Sequence, residues 1–264
     1  MAVSIPDDAS AEIRAALEAS VVAADIARNY YRSNLAVTTK EDRTPVTQAD
    51  VDCERAIKSI ILEAFPEHGF YGEETGQTRL DAEHLWLVDP IDGTKGFVRE
   101  YPFFSTQIAL MQAGKLRLGV SNGIMFDEVV WAERGAGAWL NDERLQVSEI
   151  DDPERAAVST GNLKSLALSP GWAELGKVVA DADRIRGYGD FYHYHLLAAG
   201  KIDAVIESDV NILDIAALSV IVEEAGGVFT DLNGQPPGLE TRSVLAANPA
   251  LHENFLARLS GYVA

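Results

Sequence analysis

The hydrophobic pattern changes period along the chain, and the changes mark its elements. Ile13, Leu17, Val21 and Ala24 recur at helical spacing and predict an amphipathic helix from Pro6 to Tyr31, capped by Asp8 or Ser10. Ser33 to Pro45 is polar and predicts a loop or a short irregular arm. Thr47-Gln48-Ala49-Asp50 fits a capping box and opens a second helix reaching about Phe65. Its expected core face is Cys53, Ile57, Ile60 and Ala64, and Pro66 ends it. Phe70-Tyr71-Gly72-Glu73-Glu74 reads as a short strand that runs out into two acids. Leu85 to Val88 is a continuous apolar run, as in a strand buried on both faces. It is expected to stop near Asp89, because Pro90 cannot donate to a ladder. Ser105–Gln112 and Lys115–Asn122 flank a turn at Gly114, and Glu128–Glu133 continues the meander. Gly135, Gly137 and Asn141 punctuate further short strands.

Asp151-Asp152-Pro153 is the candidate boundary between an N-terminal α+β lobe, 1–150, and a C-terminal α/β lobe, 151–264. Beyond it, strands are predicted at Ala156–Thr160, Arg184–Tyr188, Asp203–Glu207, Val228–Asp231 and Val244–Asn248. Helices are predicted at Gly171–Asp181, Asp190–Ala199, Asp214–Ala225 (ended by Gly226-Gly227) and from Pro249 onward. No internal repeat or low-complexity tract interrupts this order.

At 264 residues the chain has ample core for one large domain or two packed lobes. Forty-one acidic against twenty-two basic residues leave a net charge of −19. That balance argues against nucleic acid or an anionic membrane surface as a partner. An anionic substrate would have to be drawn in locally by metal ions or a few basic groups, and a cationic group on it would be welcome. Cys53 is the only cysteine, so neither an intrachain disulfide nor a cysteine-based metal site is available. No apolar run approaches the length of a bilayer span, and Asp7 and Asp8 do not resemble a secretory signal. A cytoplasmic protein is expected.

The stretch with most chemical content is Leu85-Trp86-Leu87-Val88-Asp89-Pro90-Ile91-Asp92-Gly93-Thr94-Lys95-Gly96-Phe97. Gly93 permits a tight turn, and Thr94 is placed to cap a short helix. Asp89 and Asp92 then stand at a strand end beside backbone N–H groups, which suits a cation and a phosphate bound together. Taken alone, the same string is equally a turn. Three further acidic clusters begin or end an element: Asp50, Glu73-Glu74 and Asp214. Each has a plainer role available: Asp50 as half of a capping box, Glu73 as a solvated turn residue, Asp214 as an N-cap. If they meet, two carboxylates about 4 Å apart repel by roughly 4 kcal/mol at an effective dielectric near 20. A divalent cation removes that objection, and an all-oxygen ligand set favours Mg²⁺.

Together, Gly72-Glu73-Glu74, Asp89-Pro90-Ile91-Asp92-Gly93-Thr94, Asp214-Ile215-Ala216-Ala217 and Glu224-Ala225-Gly226-Gly227 resemble the inositol monophosphatase family of Mg²⁺-dependent, lithium-sensitive phosphatases. Thr47-x-x-Asp50 and Ala247-Asn248-Pro249 fall in the same order, so the resemblance covers nearly the whole chain. It implies a layered αβαβα sandwich, of mixed α+β and α/β character, with the site between two lobes. It also implies that Glu73, Asp89, the Ile91 carbonyl, Asp92 and Asp214 hold two or three Mg²⁺. Asp50 and Thr94 would orient and deprotonate the attacking water, with Glu73 holding a further water. The N–H groups of Gly93 and Thr94 would receive the phosphate of a small-molecule phosphate ester. Relatives are commonly dimers, so a homodimer is expected. One departure is Leu213, where the family usually has Trp; it is a packing position and bears on subfamily more than on catalysis.

Gly189-Asp190-Phe191 and Asp92-Gly93-Thr94-Lys95-Gly96-Phe97-Val98-Arg99 look like the histidinol-phosphate phosphatases of that family. Histidinol phosphate carries an ammonium and an imidazole, and Asp190 is placed to pair with either. Glu207 falls where the family contacts substrate, and Arg186 is expected to support the same wall. Asp190 as a solvent-facing N-cap is the plainer alternative, and His193 and His195 are expected to pack rather than to ligate metal. Rival functions are phosphatases of inositol 1-phosphate or of broader sugar and nucleotide esters. A non-catalytic relative would be expected to lack one of the metal acids, and none is missing.

Overall fold

The computed structural model describes residues 5, 9–33, 37–39 and 45–259. The chain begins with α1 (Ala11–Tyr30), a short pair β1 (Thr38–Thr39) and β2 (Pro45–Val46), and α2 (Gln48–Ala64). Then come β3 (Gly69–Gly72), β4 (Gln77–Thr78), β5 (His84–Asp92) and the single-turn α3 (Thr94–Val98). A meander follows: β6 (Ser105–Gln112), β7 (Lys115–Gly123), β8 (Glu128–Glu133), β9 (Gly137–Leu140) and β10 (Glu143–Arg144). The remainder is β11 (Ala157–Thr160), α4 (Leu163–Leu168), α5 (Trp172–Asp181), β12 (Arg184–Arg186), α6 (Tyr192–Ala198) and β13 (Ala204–Ser208). Last are α7 (Ile212–Glu224), β14 (Val228–Thr230), β15 (Ser243–Ala247) and α8 (Pro249–Leu259).

Two sheets carry the architecture. The first has the order β10-β9-β8-β7-β6-β5-β3-β4, antiparallel except for β3 beside β5. The second runs β12-β11-β13-β15-β14, with β12, β11 and β13 parallel. Side chains on successive strand residues face opposite ways, so β5 serves two cores at once. Trp86 and Val88 join Ile13, Leu17, Cys53, Ile57 and Ile61 under α1 and α2. Leu85 and Leu87 face α6 and α7, whose other side meets Val205, Phe229 and Val244 of the second sheet. Leu166, Leu175, Val178, Leu251 and Phe255 cover the far face of that sheet. The layers are therefore helix, sheet, helix, sheet, helix, the αβαβα sandwich that the resemblance implied.

The middle layer explains the composition of α7. A helix between two sheets has no solvent face, and Ile212, Leu213, Ile215 to Val222 are all buried. Leu213 is 4% exposed and packs in that core.

Several expectations need correction. The Ser10 hydroxyl caps α1 by accepting from the Ile13 N–H at 3.2 Å; the other proposed cap, Asp8, and the Pro6 start lie outside the described residues. Most of the Ser33–Pro45 arm, Lys40 included, also lies outside them; within it Thr38 and Thr39 form β1 and pair with β2. In α2 the inward face is Ala49, Cys53, Ile57 and Ile61; Ile60 is half-buried and Ala64 exposed. β5 does not stop at Asp89 but runs to Asp92. Its register with β6 breaks between those two residues, so Pro90 sits in an irregularity that asks no N–H of it. Thr94 does not cap α3; Gly93 does, at φ +87°, and Thr94 is the first helical residue. Helix α4 was not anticipated. Among the described residues no helix is long and apolar enough to cross a membrane.

Candidate active site

Each acid reaches its place through the local structure that its sequence dictates. Thr47 and Asp50 form the capping box of α2: Asp50 Oδ2 accepts from the Thr47 N–H (2.8 Å) and hydroxyl (2.7 Å). That leaves Oδ1 facing Thr94, whose hydroxyl lies 3.2 Å away and also 3.0 Å from the Ile91 carbonyl. Asp89 turns back on its own strand, Oδ1 accepting from the Ile91 N–H at 3.0 Å. Asp92 Oδ2 accepts from the Ser105 hydroxyl at 3.2 Å. Asp214 is not the cap of α7. Asn211 is, and Asp214 returns the bond at the third helical position through the Asn211 N–H at 2.9 Å. Asp50 and Asp214 are thus capping-box partners and cavity acids at once.

Asp89, Asp92 and Asp214 each present a carboxylate oxygen, all within 4.8 Å of one another. They line a cavity of about 490 Å³ together with Glu73, Ile91, Gly93, Thr94, Asp190 and Asn211. A recess of about 40 Å³ opens beside it, lined by Asp92, Asp190, Tyr194, Glu207 and Asp214. Asp190 and Glu207 therefore adjoin the acid cluster. Arg186 does not: it is exposed on the edge strand β12, its guanidinium donating to the carbonyl of Ile185. A roomier cavity of about 690 Å³ lies at the β6–β7 turn, but none of these acids reaches it, and its Arg117 and Arg134 are already paired with glutamates.

The parallel strands of the second sheet explain three residues on the wall, two of them new. Asn162, Asp190 and Asp209 follow the C-terminal ends of β11, β12 and β13, and all have positive φ, at +48°, +43° and +59°. Asn and Asp tolerate that left-handed turn best among non-glycine residues, and strand C-termini are where α/β sheets gather ligand groups. Asn162 and Asp209 were missed in the sequence, although their residue types at strand ends were the signal. Lys95 and Arg242 also line the cavity, its only basic groups among the described residues, as does Tyr101. Glu54 was missed as well. Fully buried one turn after Asp50, it accepts from the backbone N–H groups of Glu74 (2.7 Å) and Thr75 (2.5 Å) and so pins the loop that carries Glu73. Gly72 admits this clamp, since a Cβ there would lie 2.3 Å from the Glu54 carboxylate.

The electrostatics follow from crowding. Burial first, then the charges of Glu73, Asp92, Asp214 and Asp50, hold Asp89 well above the usual carboxylate range. Burial and then Asp190, Asp214 and Glu207 do the same to Asp92, against the Ser105 bond. Asp214 is pushed up to about 7, mainly by burial, with Glu73 and Glu207 adding to it and the Asn211 N–H opposing. Asp190 is exposed as a residue, yet desolvation of its carboxyl and then Glu207 push it up to about 6, against His193 and Lys95. Such a cluster holds protons unless a cation replaces them, and its all-oxygen donors fit a hard divalent ion such as Mg²⁺.

This has a consequence for the chelated protein. Acids with raised folded values bind protons more tightly folded than unfolded, so folding takes protons up and stability increases as pH falls. The window runs from slightly above about 7, the folded value of Asp214, down to about 4, where unfolded carboxyls protonate too. In chelator, Tm is expected to be several degrees higher near pH 5.5 than near pH 8, with saturating Mg²⁺ flattening the difference. A chelated midpoint that falls steadily on acidification across this window would contradict the clustering.

Comparison with known proteins agrees with the geometry. The chain is similar to the histidinol-phosphatases of Chlorobaculum parvum (34% identical, covering 94% of this chain and 96% of that one) and Mycobacterium tuberculosis (38%, 86% and 89%). It is also similar to the inositol-1-monophosphatase of Rhizobium meliloti, at 36% over 81% of this chain and 82% of that one. Among solved structures, the extragenic suppressor protein SuhB from Bartonella henselae superposes with a TM-score of 0.87 at 33% identity, covering 95% of this chain and 98% of that one. With acids gathered at the seam of an αβαβα sandwich, and a family match extending over residues 8–264, the chain belongs to the inositol monophosphatase family.

Proposed function

We propose that this phosphatase hydrolyses L-histidinol phosphate to L-histidinol and phosphate. The observation that carries the choice is the position of Asp190 and Glu207, which line the recess beside Asp92 and make its far wall anionic. Hydroxyls of an uncharged leaving group can donate to such a wall, but an ammonium or a protonated imidazole also gains a charge pair there, which favours the cationic substrate. The names of the two histidinol-phosphatase relatives support the same substrate.

Two or three Mg²⁺ held by Glu73, Asp89, Asp92, Asp214 and the Ile91 carbonyl would lower the pKa of water and neutralise charge on the attacking and leaving oxygens. The remaining work belongs to the chain. Asp50, its Oδ2 occupied by Thr47, directs Oδ1 at the Thr94 hydroxyl, and burial raises its proton affinity. A carboxylate so tuned is a stronger base, which suits it to draw a proton from water through Thr94. Backbone N–H groups of Gly93 and Thr94 receive the phosphate. Asp190 pairs with the cationic end of the substrate and sets its orientation for in-line attack.

Phosphate release from histidinol phosphate and from inositol 1-phosphate, measured side by side with Mg²⁺, tests the choice; equal or better turnover of inositol phosphate would replace it. Asp190→Asn is expected to raise KM for histidinol phosphate by about tenfold or more, the worth of one charged hydrogen bond. KM for p-nitrophenyl phosphate, which has no cation to pair, should change by less than about twofold. Equal changes for both esters would remove Asp190 from substrate recognition.

A further inference from the structure

The acid cluster is joined to helix α6 by a line of buried side chains that the chemistry above does not use. The Ser105 hydroxyl donates to Asp92 Oδ2 at 3.2 Å. The side-chain amide of Gln107 donates to Ser105 Oγ at 2.8 Å and, with its other hydrogen, to Ser121 Oγ at 3.0 Å. Ser121 Oγ lies 2.7 Å from His195 Nε2, and His195 Nδ1 lies 3.3 Å from Glu128 Oε2 at the surface end. Ser105, Gln107 and Ser121 are fully buried and His195 is 3% exposed. The chain passes from β5 through β6 and β7 to α6, crossing the first sheet sideways.

Each donor in this line is assigned by its neighbours. A carboxylate only accepts, so ionised Asp92 takes the Ser105 proton. That leaves the Ser105 oxygen to accept from Gln107, which fixes which way the amide faces. The opposite amide orientation would offer a carbonyl oxygen to both hydroxyls and draw the Ser105 proton away from Asp92. Burial lowers the proton affinity of His195, so with Nδ1–H given to Glu128 its bare Nε2 accepts from Ser121. One atom is left over: Gln107 Oε1 has no hydrogen-bond partner among the described residues. A buried carbonyl without a partner is unfavourable, and a sheet interior would be better filled there by an apolar side chain.

We propose that Gln107 is a positioning residue: through Ser105 it fixes the carboxylate of Asp92, and through Ser121 and His195 it ties that carboxylate to α6. The same helix supplies the two groups that hold Glu207, His193 Nε2 at 3.1 Å and the Tyr194 hydroxyl at 2.7 Å. Asp92 and the anionic recess are thereby set by one rigid element. The proposal rests on the reading of Asp92 as a metal ligand.

The test is a Mg²⁺ titration of the substrate-free protein by calorimetry, with unfolding in chelator measured alongside. Gln107→Met keeps the length and removes both hydrogens. It is expected to weaken Mg²⁺ binding by about tenfold, as loss of a group supporting a ligand does, while the midpoint in chelator stays the same or rises. Ser105→Ala and His195→Gln, two variants at opposite ends of the line, should weaken binding non-additively when combined, because they act through one network. A wild-type protein that does not bind Mg²⁺ overturns both the metal reading and this one. Wild-type affinity in Gln107→Met, or strictly additive effects of Ser105→Ala and His195→Gln, overturns the positioning role alone.

Discussion

Asp92→Asn is expected to lower turnover by about 10³-fold or more, the loss typical when a preorganised charge is removed from a site, and to leave the fold intact. The two halves of that expectation come from one fact. Asp92, itself buried, lies among Asp89, Asp190, Asp214 and Glu207. In the absence of a cation the cluster must either take up protons or hold opposed charges, and an amide at position 92 avoids that cost rather than breaking a bond. The amide has the shape of the carboxylate, and its oxygen can still accept from Ser105. Stability in chelator should therefore hold or rise. With Mg²⁺ present the order reverses. Wild type gains stability by RT ln(1 + [Mg²⁺]/Kd), and the variant, short of a ligand, should gain little. Thermal unfolding of both proteins with and without Mg²⁺, together with phosphate release, reads out the whole prediction. Retained turnover would remove Asp92 from the chemistry, and a lower midpoint in chelator would make its role structural.

The same two-sided character decides how much of this protein could be read before its fold was known. The elements announced themselves where the chain signals a boundary locally. The Thr47–Asp50 box, the glycines after α7 and the apolar run of β5 are such signals, and they place acids at element ends. Non-local facts were less visible. Pro90 looked like a strand stop, because the sequence does not say that β6 would meet β5 with a broken register there. Thr94 looked like a cap, because a threonine before an apolar run usually is one; Gly93 took that place with the left-handed turn only it tolerates easily. In α2 a stripe through Ile60 and Ala64 fits the period as well as one through Ile61. Only the packing of α2 on β5 decides between them. Arg186 was drawn to the site by its place in the chain, but an edge strand leaves it at the surface. Glu54 and Gln107 carry no motif at all. Their roles arise from partners about 20 and 14 residues away, and polar residues inside a helix or a sheet read as surface until their burial is known.

Gly119→Ala is expected to destabilise the protein by about 3 kcal/mol, at the upper end of ordinary overpacking, and to weaken Mg²⁺ binding with it. Gly119 is the centre of a row of small residues crossing the first sheet: Ala109, Gly119, Ala132 and Ala138 are register partners on β6, β7, β8 and β9. Helix α7 lies in that trough with its own alanines inward, so that backbone meets backbone. A Cβ on Gly119 would come within 2.3 Å of the Ala217 carbonyl oxygen and 2.6 Å of its Cα. Neither atom belongs to a flexible side chain that could swing aside. The helix must lift, and its other face, packed on the second sheet through Val205 and Phe229, resists. Ala217 is one turn beyond Asp214, so any lift carries Asp214 away from Asp89 and Asp92, whose oxygens now share a space of 4.8 Å. Denaturant unfolding in chelator measures the first effect, and a Mg²⁺ titration of the folded variant the second. Gly176, in α5 with nothing within 4 Å of an added Cβ, is the matching control and should accept alanine without loss. If Gly119→Ala unfolds within about 1 kcal/mol of wild type, below the usual range for an overpacked core, the trough does not seat α7. The placement of the last acid would then have to come from the Asn211 cap alone.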